Sequence, residues 1–233
     1  MRREAWSASI ASRLTFYPSS IKWRAVLFDL DGTLVDSYGA ISASVNHVRA
    51  ASGLAPLPEA EVKRFVGLGP EHLLAHTVPG TNLQDALAGY RAHHATVMLQ
   101  KTRLLSGAYE VVTGLHRAGM RVAVCSNKLV GFSRALLEHL GLAECVDVVL
   151  GPEDVERPKP APDMLLAALA RLKVQTGEAL YVGDMVVDIE TARGAGVAVW
   201  VVATGSEERS RLQEAKPDRL LGELREVLSI LAR

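Results

Sequence analysis

Short unbroken apolar runs, each closing on polar residues, recur along the chain. Ala25–Phe28 within RAVLFDLDGTL (24–34) is the first; RVAVCSN (121–127), VDVVLG (146–151), ALYVGD (179–184) and AVWVVATG (198–205) repeat the design. Runs this short that do not alternate suit strands covered on both faces. Between them FSRALLEHLGL (132–142), DMLLAALARLK (163–173) and IETARGAG (189–196) place apolar residues at helical spacing. Strand alternating with helix predicts an α/β fold, a parallel sheet with helices on both faces. Polar residues gather at the carboxyl ends of the predicted strands, which is where open α/β sheets hold ligands.

The stretch from Ser37 to Leu105 breaks this alternation. AISASVNHVRAA (40–51), EAEVKRFVG (59–67), PEHLLAHTV (70–78) and LQDALAGYRAHHATVML (83–99) all read as helices, and no convincing strand lies among them. The expected layout is therefore a core formed by residues 23–36 and 106–233, with a helical unit, 37–105, inserted in it and packed beside the sheet. Gly67-Leu68-Gly69-Pro70 interrupts the helical unit with a turn. There is no internal repeat and no low-complexity segment. Residues 1–22 differ in composition, being rich in basic and serine residues with Glu4 as the single acid. A transit peptide has such a composition and so does an N-terminal tail; we read these residues as a tail.

Composition narrows the class. Lys plus Arg and Asp plus Glu both total 26, so the chain lacks the basic excess of a nucleic-acid binder. No apolar run approaches the roughly 18 residues of a membrane helix. Cys125 and Cys145 each sit in an apolar run, which reads as buried thiols in a reducing cytoplasm.

Two acid pairs carry the chemistry. Asp29 and Asp31, in Asp29-Leu30-Asp31-Gly32-Thr33-Leu34, lie where the first strand leaves the sheet, with Gly32 permitting a tight turn. An Asp-Gly turn with surface acids would explain Gly32; it would not explain Asp29, which directly follows an apolar strand. Asp184 and Asp188, in Gly183-Asp184-Met185-Val186-Val187-Asp188, follow another strand and lead into a helix. Four apart on a first helical turn, they would face the same way. Helix capping could account for one of them. Four acids from two strand ends make an oxygen-rich site suited to Mg2+. Ser126-Asn127-Lys128 ends a third strand, although Ser126 could simply cap a helix. In Glu156-Arg157-Pro158-Lys159-Pro160-Ala161-Pro162-Asp163, three prolines stiffen the loop around Lys159. Together these pieces answer one electrostatic problem. A carboxylate that approaches a phosphate dianion needs a divalent cation and a lysine against the repulsion, and hydroxyl and amide donors for the phosphoryl oxygens.

DLDGTL (29–34), Ser126-Asn127, Lys159 and GDMVVD (183–188), in this order, resemble the four motifs of the haloacid dehalogenase-like superfamily of phosphohydrolases, over roughly residues 24–230. Phosphoglycolate phosphatase-like members look nearest. The resemblance implies a Rossmann-like catalytic core with a smaller α-helical cap, and Mg2+-dependent hydrolysis of a small phosphate monoester through an aspartyl-phosphate. It implies Asp29 as nucleophile and Asp31 as general acid/base. Thr33, Ser126, Asn127 and Lys159 would hold the phosphate, Lys159 also the nucleophile. The metal would be held by Asp29, the Asp31 backbone carbonyl and Asp184, with Asp188 supporting. It further implies a cis Lys159–Pro160 bond. An acid at Asp31 argues against dehalogenase and phosphonate-cleaving relatives, which lack one there. A sugar phosphomutase would carry the same motifs and is the alternative; a non-enzymatic binding module would not need both Asp29 and Asp31.

Other polar residues receive plainer readings. His72 and His76 are four apart and His93 and His94 adjacent; with no third ligand at suitable spacing they read as a polar helix face. Lys128 reads as a solvated neighbour of Ser126-Asn127. Lys63, on the cap, reads as a surface or substrate-steering residue. His47 and Arg64 lie in the same helical unit, from which they could reach a substrate, and are assigned no role; Gly67–Pro70 is the expected loop facing the leaving group.

Overall fold

The computed structural model describes residues 23–231, so the reading of residues 1–22 lies outside the described residues. The chain begins with β1 (Ala25–Phe28) and β2 (Val35–Asp36), then enters four helices: α1 (Tyr38–Ala51), α2 (Glu59–Lys63), α3 (Pro70–Thr77) and α4 (Leu83–Lys101). It returns through β3 (Arg103–Leu104) and α5 (Ala108–Arg117) to β4 (Arg121–Cys125), α6 (Val130–His139) and β5 (Val148–Leu150). The remaining elements are α7 (Asp163–Leu172), β6 (Ala179–Gly183), α8 (Val186–Ala195), β7 (Ala198–Val202), α9 (Arg209–Glu214), β8 (Arg219–Leu221) and α10 (Glu226–Leu231).

Six strands form one parallel sheet in the order β5-β4-β1-β6-β7-β8. Period-two geometry sorts their side chains between two cores. Val26, Phe28, Val124, Val182 and Trp200 pack on one face with Val111, Leu115, Leu136 and Val227 from α5, α6 and α10. Leu27, Ala123, Cys125, Tyr181 and Val201 pack on the other with Met164, Ala168, Ile189, Ala192 and Leu212 from α7, α8 and α9. Burial on both faces is why these strands read as continuous apolar runs. The five expected strands are all present.

The sixth strand, β8, and helices α5, α9 and α10 were not singled out in the sequence. β8 is a three-residue edge strand, too short to give a period. Between β2 and β3 the structure is helical. Its own apolar cluster joins Ile41, Val45 and Val48 of α1, Leu73 and Leu74 of α3, and Leu87 and Tyr90 of α4. One expectation for this stretch needs correcting, because Arg103-Leu104 forms a strand. It pairs antiparallel with Val35-Asp36, in register Val35↔Leu104 and Asp36↔Arg103. Two residues cannot show periodicity, and the partner lies on the far side of four helices in sequence.

Sheet order places β1 centrally, between β4 and β6. From β1 the chain builds outward to β4 and β5, then crosses back to β6, so the carboxyl ends of β1, β4 and β6 converge at a point where the winding reverses. Phe28 is fully buried at the centre of the sheet, in register with Val124 and Val182. Phe28→Ala is expected to lower unfolding stability by about 3–5 kcal/mol, read from the urea midpoint at constant slope. Tyr109→Ala, at an exposed ring, should stay within about 0.5 kcal/mol of the parent.

Candidate active site

Three strand ends and one loop bring the sequence-selected residues together. Asp29 follows β1, Ser126 and Asn127 follow β4, Asp184 follows β6, and Lys159 enters from the loop before α7. All are buried. The Lys159 ammonium is central. Its Nζ lies 2.7 Å from Asp29 Oδ1, 2.8 Å from Asp188 Oδ1 and 3.0 Å from the Tyr181 hydroxyl, so its three hydrogens have three acceptors. Tyr181 was missed in the sequence because it sits inside a strand as one more apolar-run residue. Its ring packs in the core while its hydroxyl reaches Lys159, Asp188 Oδ1 and the Cys125 carbonyl. The Lys159–Pro160 peptide is cis.

The two acids of the second pair do different things. Asp188 Oδ2 accepts from the backbone N–H groups of Asp184 and Met185, at 3.1 and 3.0 Å, and so caps α8. Its Oδ1 faces Lys159. Asp184 Oδ1 accepts from the Thr33 hydroxyl at 2.7 Å, and its Oδ2 is buried without a partner among the described residues. The expectation that the pair shares one helical turn is corrected here. Asp184 precedes the helix, and the capping loop, not helical spacing, brings the two together. Thr33 was expected to hold phosphate, but its hydroxyl is engaged by Asp184.

Asn127 is likewise occupied. Its Oδ1 accepts from the Lys159 N–H at 3.1 Å, and its Nδ2 donates to the Lys159 carbonyl at 3.1 Å and the Gly67 carbonyl at 3.0 Å. It clasps the lysine loop and ties it to the Gly67 turn. Ser126 does not cap α6, which begins after Leu129; its Oγ accepts from the Lys128 N–H at 3.4 Å, and the residue lines the cleft.

Asp31 is set apart from the other acids. Its carboxylate accepts from the Ser37 hydroxyl and from Lys128 Nζ, at 3.2 Å on Oδ1 and 3.0 Å on Oδ2. The reading of Lys128 as solvated is therefore wrong: its side chain is 6% exposed and forms an ion pair with Asp31. Sequence could not reveal this, because the partners are far apart in the chain and meet only when β1 and β4 pair. Lys63 lies with its Nζ 4.2 Å from the centroid of the Tyr38 ring. Gly67, Gly69 and Pro70 line the same cleft as Asp29 and Asp31, together with His94 and Tyr90. His94, which the sequence groups with a polar face, is buried in that cleft. The reading of His72 and His76 as helix-face residues agrees with their Nδ1 contacts to the Phe65 and His72 carbonyls.

Crowded acids shift one another. Burial raises the Asp29 carboxyl to about 6; Lys159 opposes that rise, and Asp188 and Asp31 add to it. Burial, then Asp188 and Asp29, push Asp184 well above the usual carboxylate range. Burial alone would raise Asp31 too, but Lys128 and the Ser37 hydroxyl outweigh it and hold the group below its ordinary value. The Cys125 thiol, beside this site, is pushed up to about 12 by burial, which keeps it protonated and inert.

Oxygens of Asp29, Asp184 and Asp188 lie within 4.8 Å of one another, facing the single ammonium of Lys159. The unpartnered Asp184 Oδ2 points to a cation as its missing partner. Glycines leave space around it: a Cβ at Gly205 would come within 1.6 Å of Asp184 Oδ2, and one at Gly32 within 2.4 Å. Hard carboxylate oxygens gathered this closely suit a divalent cation. Since both Asp188 oxygens are engaged, Asp29 and Asp184 are the better placed to hold it.

Residues 26–202 match the family model for haloacid dehalogenase-like hydrolases. A phosphoglycolate phosphatase from Rhodospirillum rubrum is 40% identical over 193 residues, 78% of this chain and 80% of its own. An N-acetylmuramic acid 6-phosphate phosphatase from Pseudomonas aeruginosa is 34% identical over 194 residues, 79% of this chain and 84% of its own. A crystal structure of a haloacid dehalogenase-like hydrolase from Bacteroides fragilis superposes with a TM-score of 0.83 at 29% identity, covering 88% of this chain and all of that one.

The Lys128–Asp31 pair yields a stability test. Because Asp31 titrates lower in the folded protein than in the unfolded chain, its stabilising contribution is complete above the ordinary carboxylate range. It fades as pH falls through the folded value. Lys128→Met leaves a buried carboxylate without its cation and reverses the sign. The variant is expected to lose about 3–5 kcal/mol at pH 7, with the gap to the parent narrowing as pH falls and Asp31 takes up a proton. Urea unfolding at pH 7 and pH 5 measures both; an equal gap at the two values would contradict the pairing.

Proposed function

The chain belongs to the haloacid dehalogenase-like hydrolases, and from that premise we propose that it hydrolyses a small phosphate monoester, phosphoglycolate-like in size, through a covalent phosphate on Asp29. One observation carries the reading. Lys159 bridges Asp29 and Asp188 at 2.7 and 2.8 Å, beside a buried Asp184 oxygen that lacks a partner. A purely structural cluster would not leave that oxygen empty.

Asp29 attacks phosphorus as the ester P–O bond breaks, and Asp31 gives its proton to the departing oxygen. A water then gives a proton to Asp31, attacks phosphorus and frees Asp29 and inorganic phosphate. A phosphate dianion beside Asp31 raises its proton affinity and so opposes the effect of Lys128. Lys159 restrains the nucleophile and offsets negative charge at the site. Asn127 fixes Lys159 through its backbone, and Ser126 is placed to donate to a phosphoryl oxygen. Asp29, Asp184 and the Asp31 backbone carbonyl would hold Mg2+, with Asp188 supporting through its cap of α8. Bound there, Mg2+ supplies the positive charge that lets a carboxylate approach a phosphate dianion.

Residues 37–105 act in this reading as a cap on a core formed by 23–36 and 106–233. The separate apolar cluster of the helices, and the cleft they share with the strand ends, support it. No helix among the described residues is long and apolar enough to cross a membrane. We place the protein in the cytoplasm, where free Cys125 and Cys145 stay reduced, with a small molecule rather than nucleic acid or membrane as partner.

Phosphate release from a panel of monoesters, 2-phosphoglycolate among them, tests the reading. Activity should require a divalent cation and vanish in excess chelator, and Asp29→Asn should reduce turnover to background while leaving the circular dichroism spectrum unchanged. Isomerisation of sugar phosphates with little free phosphate would instead identify a mutase.

Asp31→Asn separates the two half-reactions. Esters with alkoxide leaving groups should slow by about 10²–10⁴-fold. p-Nitrophenyl phosphate, which leaves without protonation, should retain more of its first step and accumulate phosphorylated protein, seen by mass spectrometry. Equal slowing of both substrates with no phosphoprotein would remove Asp31 from the acid/base role.

A further inference from the structure

Beyond Asp31 the cleft is largely apolar. Ile41, Val66, Leu73, Tyr90, Leu129 and Phe132 line it, and among them stands His94 of α4, 1% exposed. Tyr90 stacks on the imidazole with ring centroids 5.2 Å apart, and Phe132 meets it edge-on at 5.3 Å. These rings fix the imidazole in place, and its hydrogen-bond partners fix its tautomer.

His94 Nδ1 lies 3.1 Å from Ser44 Oγ. The Ser44 hydroxyl hydrogen goes to the Ala40 carbonyl at 2.9 Å. A hydroxyl oxygen whose hydrogen is engaged can only accept, so Nδ1 carries the ring hydrogen. The His93 ring, 3.2 Å away, takes up the remaining capacity of Ser44 Oγ. Burial, and then the Lys128 ammonium, push the His94 pKa down to about 3, so the ring is neutral. Nε2 is therefore a bare acceptor, and it is buried without a partner among the described residues. An unmet buried acceptor costs about 1–3 kcal/mol. A residue that merely filled the cleft with a ring would serve as well as phenylalanine and carry no such penalty.

We propose that His94 Nε2 selects the leaving group by accepting a hydrogen bond from a hydroxyl or amide N–H on the alcohol half of the phosphate monoester. This rests on the phosphatase reading and specifies the substrate class for that site. A carboxylate at the same position meets a lone pair. Lys128, the ammonium lining the cleft, is already bound to both oxygens of Asp31. A methyl group leaves Nε2 unmet.

Three monoesters of matched length separate these cases: 2-hydroxyethyl phosphate, 2-phosphoglycolate and propyl phosphate. With the magnesium-loaded enzyme, kcat/KM for 2-hydroxyethyl phosphate should exceed that for propyl phosphate about tenfold and exceed that for 2-phosphoglycolate. In His94→Phe the hydroxyl-to-methyl ratio should fall to about one, and His94→Gln, whose amide oxygen can accept, should restore part of it. A second measurement needs neither turnover nor a His94 variant. In Asp29→Asn, which holds the ligands unhydrolysed, the ¹⁵N signal of His94 Nε2 should move upfield with 2-hydroxyethyl phosphate and stay in place with propyl phosphate. The proposal is overturned if the hydroxyl-to-methyl ratio is the same in parent and His94→Phe, or if Nε2 does not respond to the hydroxyl ligand. It is also overturned if 2-phosphoglycolate converts His94 to the imidazolium and is the preferred substrate. Phosphate release from the wider panel of monoesters reports the reaction itself: a parent enzyme that releases phosphate from none of them defeats the phosphatase reading, while the ¹⁵N experiment still decides the role of His94.

Discussion

Holding several carboxylates together out of water is the constraint around which this protein is built. Asp29, Asp184 and Asp188 converge at the end of the sheet, and Asp31 stands just beyond them. Left alone, such groups would repel or take up protons. Lys159 meets two of them directly and is held in turn by Tyr181 from beneath and Asn127 from the side. Lys128 meets Asp31 from the end of β4. The acids thus divide between two ammonium groups, Lys159 beside Asp29 and Asp188 and Lys128 beside Asp31. The remaining deficit lies at Asp184, where a cation fits.

Backbone placement follows from that arrangement. Gly183, Gly32 and Gly205 all approach acids so closely that a Cβ at any of them would collide with Asp184 or Asp188. Thr33 and Thr204 complete the packing: one donates to Asp184, the other to the Gly32 carbonyl at 2.6 Å. The loop after β7 is in this way part of the site, and the carboxylate of its Glu207 accepts from the Val186 N–H at 2.6 Å where α8 begins. The α8 cap does double duty, since Asp188 satisfies backbone donors with one oxygen and Lys159 with the other.

The helical layer solves a different problem. Its cluster of apolar side chains gives it a core of its own, and the short β2–β3 ribbon joins it to the sheet at both chain crossings. Asn127 ties the Gly67 turn to the lysine loop, so the wall of the cleft and the charge-bearing loop share one side chain. Through this layer an apolar cleft with one acceptor nitrogen is set beside a strongly charged one. Chemistry common to a family and selection particular to one member can then reside on different elements.

Sequence by itself determined five of the six strands of the sheet, its two covered faces and the residues at those strand ends. Those signals are local: unbroken apolar runs mark strands buried on both sides, and acids directly following such runs have no reason to be there except function. It did not determine which acid does what. Asp184 and Asp188 look alike in the chain, and only the fold assigns one to a helix cap and leaves the other bare. Nor could it identify Lys128, Tyr181 or His94. Lys128 reads as a loop residue, Tyr181 as part of a strand and His94 as half of a polar pair. Each acquires its role from a partner distant in sequence: Asp31 through β1–β4 pairing, Lys159 through the loop folded under β6, and the cleft through the seating of α4 against α6. Tertiary structure alone decided these, because burial and pairing are properties of juxtaposition, and no pattern along a chain records which distant group will stand opposite.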